Sequence, residues 1–175
     1  MEREEIWKYH IDLSPIKEMK LTKIILVSHC LLNQLTRAGG DVTSGVEKKI
    51  LQLLSHYPFP VEQLPCPEYL FAGHREKKDK DEWERVEGFP EFCGQLAHRV
   101  DSFLKKLSVS SSLVLISIAR SPCCSSSEIY VAGELIPGRG IFLKELRQRI
   151  HFEVVEFDFK RVDESLKRLK SKIKN

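Results

Sequence analysis

Apolar and polar positions alternate along the chain in blocks that predict strands and helices in turn. Short apolar runs rich in β-branched residues cover residues 23–28, 113–119 and 152–157, and a shorter run covers residues 61–64. Runs of this kind are typical of parallel strands covered on both faces. They predict four strands of one small, mainly parallel sheet.

Apolar residues at helical spacing lie between these runs. The longest series spans residues 92–107 and follows Pro90, a residue that fits the first turn of a helix. A second helix is predicted after Ser44, whose spacing to Glu47 fits a capping box. Two more are predicted over residues 141–150 and from residue 162 onward, with a short strand or excursion over residues 128–136. The alternation predicts an α/β fold: a three-layer α/β/α, Rossmann-like domain.

Two segments do not fit that alternation. Residues 79–86 are highly charged around Trp83, and the stretch between Gly73 and Pro90 that contains them is interpreted as a mobile or solvated loop. Residues 1–22 mix charges with scattered apolar side chains, and Pro15 interrupts any helix there. We therefore expect an N-terminal appendage over residues 1–22 and a single α/β domain over residues 23–175.

Composition narrows the classes of partner. The chain has 175 residues, of which 42% are hydrophobic and 30% charged, and its net charge of +3 gives no reason to expect a nucleic-acid polymer as partner. No apolar run approaches the roughly 18 residues of a membrane span, so no membrane partner is expected. The first five residues contain no apolar signal core, and the expected location is the cytoplasm.

The chain contains five cysteines, a number that favours thiols or metal ligands over disulfides in a cytoplasmic protein. Cys30, Cys66 and the pair Cys123 and Cys124 each follow a predicted strand. Because the carboxyl ends of parallel strands meet at one edge of a sheet, we expect three loops to bring thiols together there. Cys93 lies inside a predicted helix and is interpreted as a buried core thiol.

Three thiolates from separate loops suit a soft metal. No Cys-x-x-Cys knuckle of the kind common in structural zinc sites occurs, whereas a 4Fe-4S cluster held by three cysteines keeps one iron open as a Lewis acid. Two alternatives stay open. One is a zinc-stabilised, non-catalytic binding module that adds His29 or His74 to the cysteines. The other is a metal-free thiol enzyme with Cys66 or Cys124 as nucleophile and His74 as base.

Two oxygen-bearing residues accompany the cysteines. Glu68 lies two residues after Cys66 and is a candidate acid or base, although taken alone it would be an ordinary surface charge. Ser121 precedes the cysteine pair and is a candidate for orienting a substrate, or for capping the turn that follows it.

At these positions the sequence resembles the thiouracil desulfurase (TudS) family. Ser28-His29-Cys30-Leu31 is similar to the Ser-x-Cys-Leu motif of that family, and Cys66-Pro67-Glu68 is similar to its Cys-Pro-Glu motif. The stretch from Ser121 to Ser125 is similar to its Ser-Pro-Ser-Cys-Gly motif. The three motifs occur in the family's order, which is more specific than any one of them alone.

The resemblance implies a desulfidase that takes sulfur from a small-molecule thiolated substrate, such as a thiolated nucleobase. It implies a 4Fe-4S cluster held by Cys30, Cys66 and Cys124, with Glu68 and Ser121 as active-site acid and serine. Cys123 stands where the family has serine, so the choice between Cys123 and Cys124 as third ligand stays open. The family's segments that would line the substrate pocket are also altered, and the sequence predicts a divergent member with its own substrate.

Overall fold

The computed structural model describes residues 22–107 and 112–174. The predicted appendage lies outside these residues, apart from Thr22. Within them the strands are β1 (Lys23–Ser28), β2 (Val61–Leu64), β3 (Ser112–Ile118), β4 (Glu128–Val131), β5 (Glu134–Pro137) and β6 (Glu153–Phe157). The helices are α1 (His29–Leu32), α2 (Val46–Leu54), α3 (Pro67–Ala72), α4 (Lys80–Glu84), α5 (Phe89–Lys106), α6 (Ile141–Arg147) and α7 (Val162–Lys174). Two 3₁₀ turns, Gln34–Thr36 and Ala38–Gly40, follow α1.

Four of the strands form one parallel sheet in the order β2-β1-β3-β6. The chain moves outward from β1 to β2, returns past β1 to β3, and then moves outward again to β6. The connections therefore diverge between β1 and β3, which is the topological switch point where open α/β sheets bind ligands. The antiparallel hairpin of β4 and β5 stands apart from this sheet.

Helices cover both faces of the sheet, as predicted. On β1, Ile24 and Leu26 belong to the core formed with α4, α5 and α6. Ile25 and Val27 belong to the core formed with α2 and α7. Alternate residues of one strand thus supply two apolar layers, because successive side chains point to opposite faces. The three-layer α/β/α fold is confirmed.

The prediction of a loop over residues 79–86 is wrong. Lys80–Glu84 is a helix with a reciprocal capping box: the Asp79 side chain accepts from the backbone of Glu82, and Glu82 accepts from the Asp79 N–H at 2.7 Å. Trp83 is 2% exposed and packs on Phe89 with ring centroids 4.3 Å apart. The charges cover the outer side of a short helix that one buried indole holds against the core.

The capping box predicted at Ser44 is also wrong. Helix α2 begins at Val46 after Gly45, whose φ of 76° is left-handed, and no side chain caps it. Glu47 instead accepts a hydrogen bond from Gln34 Nε2 at 2.5 Å. The predicted strands and Pro90 in the first turn of α5 are confirmed, and residues 128–136 form the β4–β5 hairpin. No helix of the described residues is long and apolar enough to cross a membrane.

Candidate functional site

Three strand ends deliver three cysteines to the carboxyl edge of the sheet. Cys30 is in α1, directly after β1; Cys66 precedes α3, after β2; and Cys124 follows β3. Cys30 and Cys66 lie close enough for a thiol–thiol hydrogen bond, and Cys124 lies near both of them. The structure therefore brings together the three thiols that the sequence placed at one edge.

The thiols differ in acidity because their neighbours differ. The hydrogen bond to Cys66, then burial, raises the pKa of Cys30. The same hydrogen bond, accepted by Cys66, lowers the pKa of Cys66. Burial, followed by the charges of Cys66 and Glu68, raises the pKa of Cys124 against the opposing hydrogen bond from Ser28. Cys66 is thus the thiol of this group whose surroundings most favour the thiolate.

Glu68 lies in the first turn of α3 and is paired with Arg75 inside the protein. Their side chains are 9% and 7% exposed, so the pair is almost fully removed from water. Arg75 Nε and Nη2 donate to Glu68 Oε2 at 3.1 and 2.8 Å. Within the described part of the chain, hydrogen bonds reach Oε2 of this carboxylate and leave Oε1 without a protein donor. Glu68 is therefore an oriented carboxylate rather than a surface charge.

Arg75 is the residue of this site that sequence reasoning missed. Besides Glu68, its guanidinium donates to the carbonyl oxygens of Thr36 at 3.0 Å and Gly73 at 3.2 Å, and its Nη2 lies 3.9 Å from Cys66 Sγ. One cation thus connects the loop after β1 to the segment after β2. Arg75 begins a run of charges in the sequence, and such a run is typical of a solvated segment. Its position seven residues after Glu68 matches no spacing rule that would have predicted the ion pair between them.

Ser121 lies at the start of the turn that presents the cysteine pair. Its Oγ accepts hydrogen bonds from the backbone N–H of Cys123 at 3.3 Å and of Cys124 at 3.1 Å. The hydroxyl therefore shapes the turn, as the capping interpretation of this residue expects. Both contacts use lone pairs of Oγ, which leaves the hydroxyl proton for another acceptor.

The two adjacent cysteines face different surroundings. Cys123 is 0% exposed in the core and hydrogen-bonds to Cys93, which is also 0% exposed, as its interpretation as a core thiol predicts. Cys124 is half-buried and lies near Cys66 and Ser28. The structure thus places Cys124, rather than Cys123, beside the other two candidate ligands.

The two candidate histidines occupy separate positions. His74 is exposed and packs edge-on against Tyr69 with ring centroids 5.6 Å apart. His29 Nδ1 contacts the Gln63 side chain, while its Nε2 is buried without a hydrogen-bond partner in the described residues. Burial lowers the pKa of His29. Neither histidine has a hydrogen bond to a cysteine within the described ranges.

The donor set fits a cluster better than a single ion. Among the described residues, no three or more His, Cys, Asp or Glu side chains converge closely enough to hold one metal ion. A zinc ion needs all its ligands within about 2.3 Å of one point, whereas a 4Fe-4S cluster takes each cysteine on a different iron atom. Three soft thiols from three separate loops suit the second arrangement.

Comparison with known proteins agrees with the architecture. No family model matches the sequence. The chain is 28% identical over 135 residues to the uncharacterized protein MJ0003 of Methanocaldococcus jannaschii, a match that covers 75% of this chain and 80% of that protein. It is similar in structure to the 4Fe-4S-dependent thiouracil desulfidase TudS, with a TM-score of 0.50, 18% identity, and coverage of 86% of this chain and 99% of that one. The chain therefore shares the fold of this desulfidase at a distant level of sequence similarity.

Proposed function

We propose that this protein is an iron–sulfur-dependent desulfidase that hydrolyses the thiocarbonyl of a small heterocycle, such as a thiolated nucleobase. The reaction converts C=S and water to C=O and hydrogen sulfide, and it needs no external oxidant or reductant. The observation that carries the proposal is the meeting of Cys30, Cys66 and Cys124 beside the oriented carboxylate of Glu68. The shared fold with a thiouracil desulfidase supports it.

Cys30, Cys66 and Cys124 would hold the cluster. All three follow strands of the parallel sheet. Arg75 supplies a buried positive charge beside Cys66 that favours its thiolate form. When bound, a cluster with three cysteine ligands supplies an open iron that can bind the sulfur of the thiocarbonyl and polarise its C–S bond.

Glu68 would act as the general base that activates water. Arg75 fixes Oε2, so the carboxylate presents Oε1 in one orientation towards an incoming water molecule. A base oriented before the reaction starts loses little entropy when it takes the proton, which is the advantage of a pre-organised site. Arg75 therefore contributes as a positioning residue.

Ser121 would donate its hydroxyl proton to the substrate. The amides of Cys123 and Cys124 hold its Oγ in place, and the O–H is then free to orient a heteroatom of the ring. The serine and Glu68 lie on segments that follow different strands, β3 and β2, so they can contact a bound heterocycle from two sides.

The test uses protein prepared without oxygen and 2-thiouracil as probe, with loss of the thiocarbonyl absorbance and release of sulfide as readouts. Glu68→Gln retains an oxygen acceptor for Arg75 but removes the base, so we expect a rate loss of about 10²- to 10⁴-fold with iron content unchanged. Glu62→Gln on β2 is the matched control and should retain the wild-type rate. Full activity in Glu68→Gln, or no sulfide release from thiolated bases by iron-loaded protein, would contradict the proposal.

A metal-free thiol enzyme is a second candidate, because the pKa of Cys66 is lowered by its contact with Cys30. Its predicted base, His74, is exposed and packs edge-on against Tyr69, and within the described residues it has no hydrogen bond to a cysteine. Activity that survives complete removal of metal, and is lost on alkylation of Cys66, would favour this candidate over the desulfidase.

A further inference from the structure

Glu156 holds the loop that carries the two adjacent cysteines by accepting hydrogen bonds from its N–H and hydroxyl groups. This residue lies on β6, and its Oε1 accepts hydrogen bonds from the backbone N–H of Ser126 and, at 3.1 Å, of Ser127. The Ser125 hydroxyl lies 2.9 Å from the same oxygen, and the Ser127 hydroxyl donates to Oε2. One carboxylate thus contacts three consecutive residues directly after Cys124.

The carbonyl side of the loop is held by the start of α6. The N–H groups of Ile141 and Leu143 donate to the carbonyl oxygens of Pro122 and Cys123, each at 2.9 Å. The Gly140 N–H donates to the Ser125 carbonyl, also at 2.9 Å. A Cβ on Gly140 would lie 2.2 Å from the Cys123 carbonyl carbon, so no side chain fits where this backbone meets the loop.

These contacts decide which cysteine faces the other thiols. Cys123 and Cys124 are adjacent, so a twist of the loop by one residue would exchange the core position of Cys123 for the half-buried position of Cys124. The segment after Cys124 is also held by the Gly140 and Gly138 N–H groups, which donate to the Ser125 and Ser127 carbonyl oxygens at 2.9 Å. Glu156 adds a hold from a strand of the parallel sheet.

We infer that Glu156 is a positioning residue that fixes the loop so that Cys124, and not Cys123, is the accessible thiol. That Cys124 then ligates a cluster rests on the proposed function. The choice between the two thiols does not, because it follows from the contacts of this chain alone.

The experiment labels the reduced, metal-free protein with a maleimide under native conditions and compares the labelling rates of Cys124 and Cys123 by peptide mass mapping. Thiol reactivity follows access, so wild-type Cys124 should react at least about tenfold faster than Cys123. Valine suits a strand, but Glu156→Val removes every contact of this side chain with the loop. The Cys124-to-Cys123 ratio of labelling rates should then fall to a value between about 1 and 3.

Two further variants separate positioning from simple loss of stability. Glu156→Gln keeps the shape and one oxygen acceptor, so it should restore a ratio close to that of the wild type. Glu153→Val removes a carboxylate of the same strand that pairs with Lys172 at the surface, and it should leave the ratio unchanged. If Glu156→Val fails to fold, Gly140→Ala tests the same loop from its other side and should also lower the ratio.

An unchanged labelling ratio in folded Glu156→Val would overturn the inference, as would equal reactivity of the two thiols in the wild-type protein. Because the labelling is done without metal, a failure of the desulfidase proposal would leave these results unaffected. Conversely, an active desulfidase with an unchanged ratio in Glu156→Val would reject the role of Glu156 alone.

Discussion

The segment that carries Cys66 and the loop that carries Cys124 flank the end of β1, yet they are held by different means. The Cys66 segment is held by side chains, through the buried ion pair of Arg75 and Glu68. The Cys124 loop is held largely through its own backbone, by the amides of α6 and the carboxylate of Glu156. Both devices bring a thiol to the same edge of the sheet.

The two sets of contacts indicate two roles: the contacts near Cys66 orient groups for reaction, and those near Cys124 hold the loop in place. Arg75 and Glu68 lie beside Cys66 and carry full charges out of water, an arrangement that is common where a group must be oriented for reaction. Glu156 accepts hydrogen bonds from Ser125, Ser126 and Ser127 of the loop. Burial alone would raise the pKa of Glu156, but the bonds from Ser127, Ser126 and Ser125 more than offset it and lower the pKa. We therefore expect changes near Cys66 to affect the reaction and changes near Cys124 to affect which thiol is presented.

The largest effect on stability should come from breaking the ion pair. Arg75→Met leaves Glu68 as an unpaired charge inside the protein, and we expect the free energy of unfolding to fall by about 3–5 kcal/mol. The same substitution should lower the Tm of thermal unfolding by roughly 10 °C. Urea and thermal unfolding measure both quantities. The double variant Arg75→Met/Glu68→Leu should recover part of the loss, because no isolated charge remains.

The surface pair of Lys172 and Glu153 is the control for that prediction. Its side chains are 49% and 59% exposed, so Lys172→Met should change the free energy of unfolding by no more than about 0.5 kcal/mol. Equal losses in Arg75→Met and Lys172→Met would mean that burial of the Arg75–Glu68 pair has no energetic consequence.

A smaller effect is expected where α6 meets the Cys124 loop. In Gly140→Ala the new Cβ would lie 2.3 Å from the Cys123 carbonyl oxygen and 2.6 Å from the Cys124 nitrogen. The backbone must move to admit this Cβ. We therefore expect the free energy of unfolding, measured with denaturant, to fall by about 1–3 kcal/mol.

Gly94→Ala is the matched substitution for Gly140→Ala. Gly94 lies inside α5, and its Cβ would meet a single atom, Glu145 Oε2, at 3.6 Å. Because alanine is the better helix former, Gly94→Ala should be neutral or stabilise by up to about 1 kcal/mol. If both glycine variants behaved alike, the close approach at Gly140 would not constrain the loop.

An effect of a size similar to that of Gly140→Ala depends on pH and involves Asp158, which is 2% exposed and pairs with Arg120 just before Ser121. Burial by itself would raise the pKa of Asp158, but bonds from Arg120, the Lys160 N–H and Arg161 lower it to about 2. A carboxylate with a depressed pKa stabilises the fold fully above its ordinary pKa near 4, and this contribution is lost as the pH falls towards 2.

The measurement compares wild type with Asp158→Asn across that range. The difference between their unfolding free energies should shrink by about 2 kcal/mol as the pH falls from about 5 to about 2. Above about pH 5 it should stay constant. A difference that is the same at every pH would mean that Asp158 is not held in its charged form by these contacts.

Much of the fold could be predicted from the sequence because its strands are short apolar runs bounded by breaks. The run from Lys23 to Ser28 matches β1 at both ends. Helix α4 could not be predicted, because the single buried side chain of Trp83 determines its position among charges. The false capping box at Ser44 shows the converse: the motif is present, but Gly45 takes the left-handed conformation and the helix begins later.

The candidate site was predictable only where it follows strand ends. Cys30, Cys66 and Cys124 could be grouped by topology alone, since parallel strands bring their carboxyl ends together. Arg75 and Glu156 could not, because their partners are seven and about thirty residues away and no spacing rule connects them. The choice of Cys124 over Cys123 also depends on contacts with α6 and β6 that lie beyond the reach of a local pattern.

The most direct test of the central claim is the content of iron, zinc and acid-labile sulfide per chain in protein prepared without oxygen. We predict about four irons and four sulfides in the wild type, strongly reduced in Cys30→Ala, Cys66→Ala and Cys124→Ala, and unchanged in Cys93→Ala. One zinc per chain without labile sulfide, or full iron content in any of the first three variants, would contradict the three-cysteine cluster.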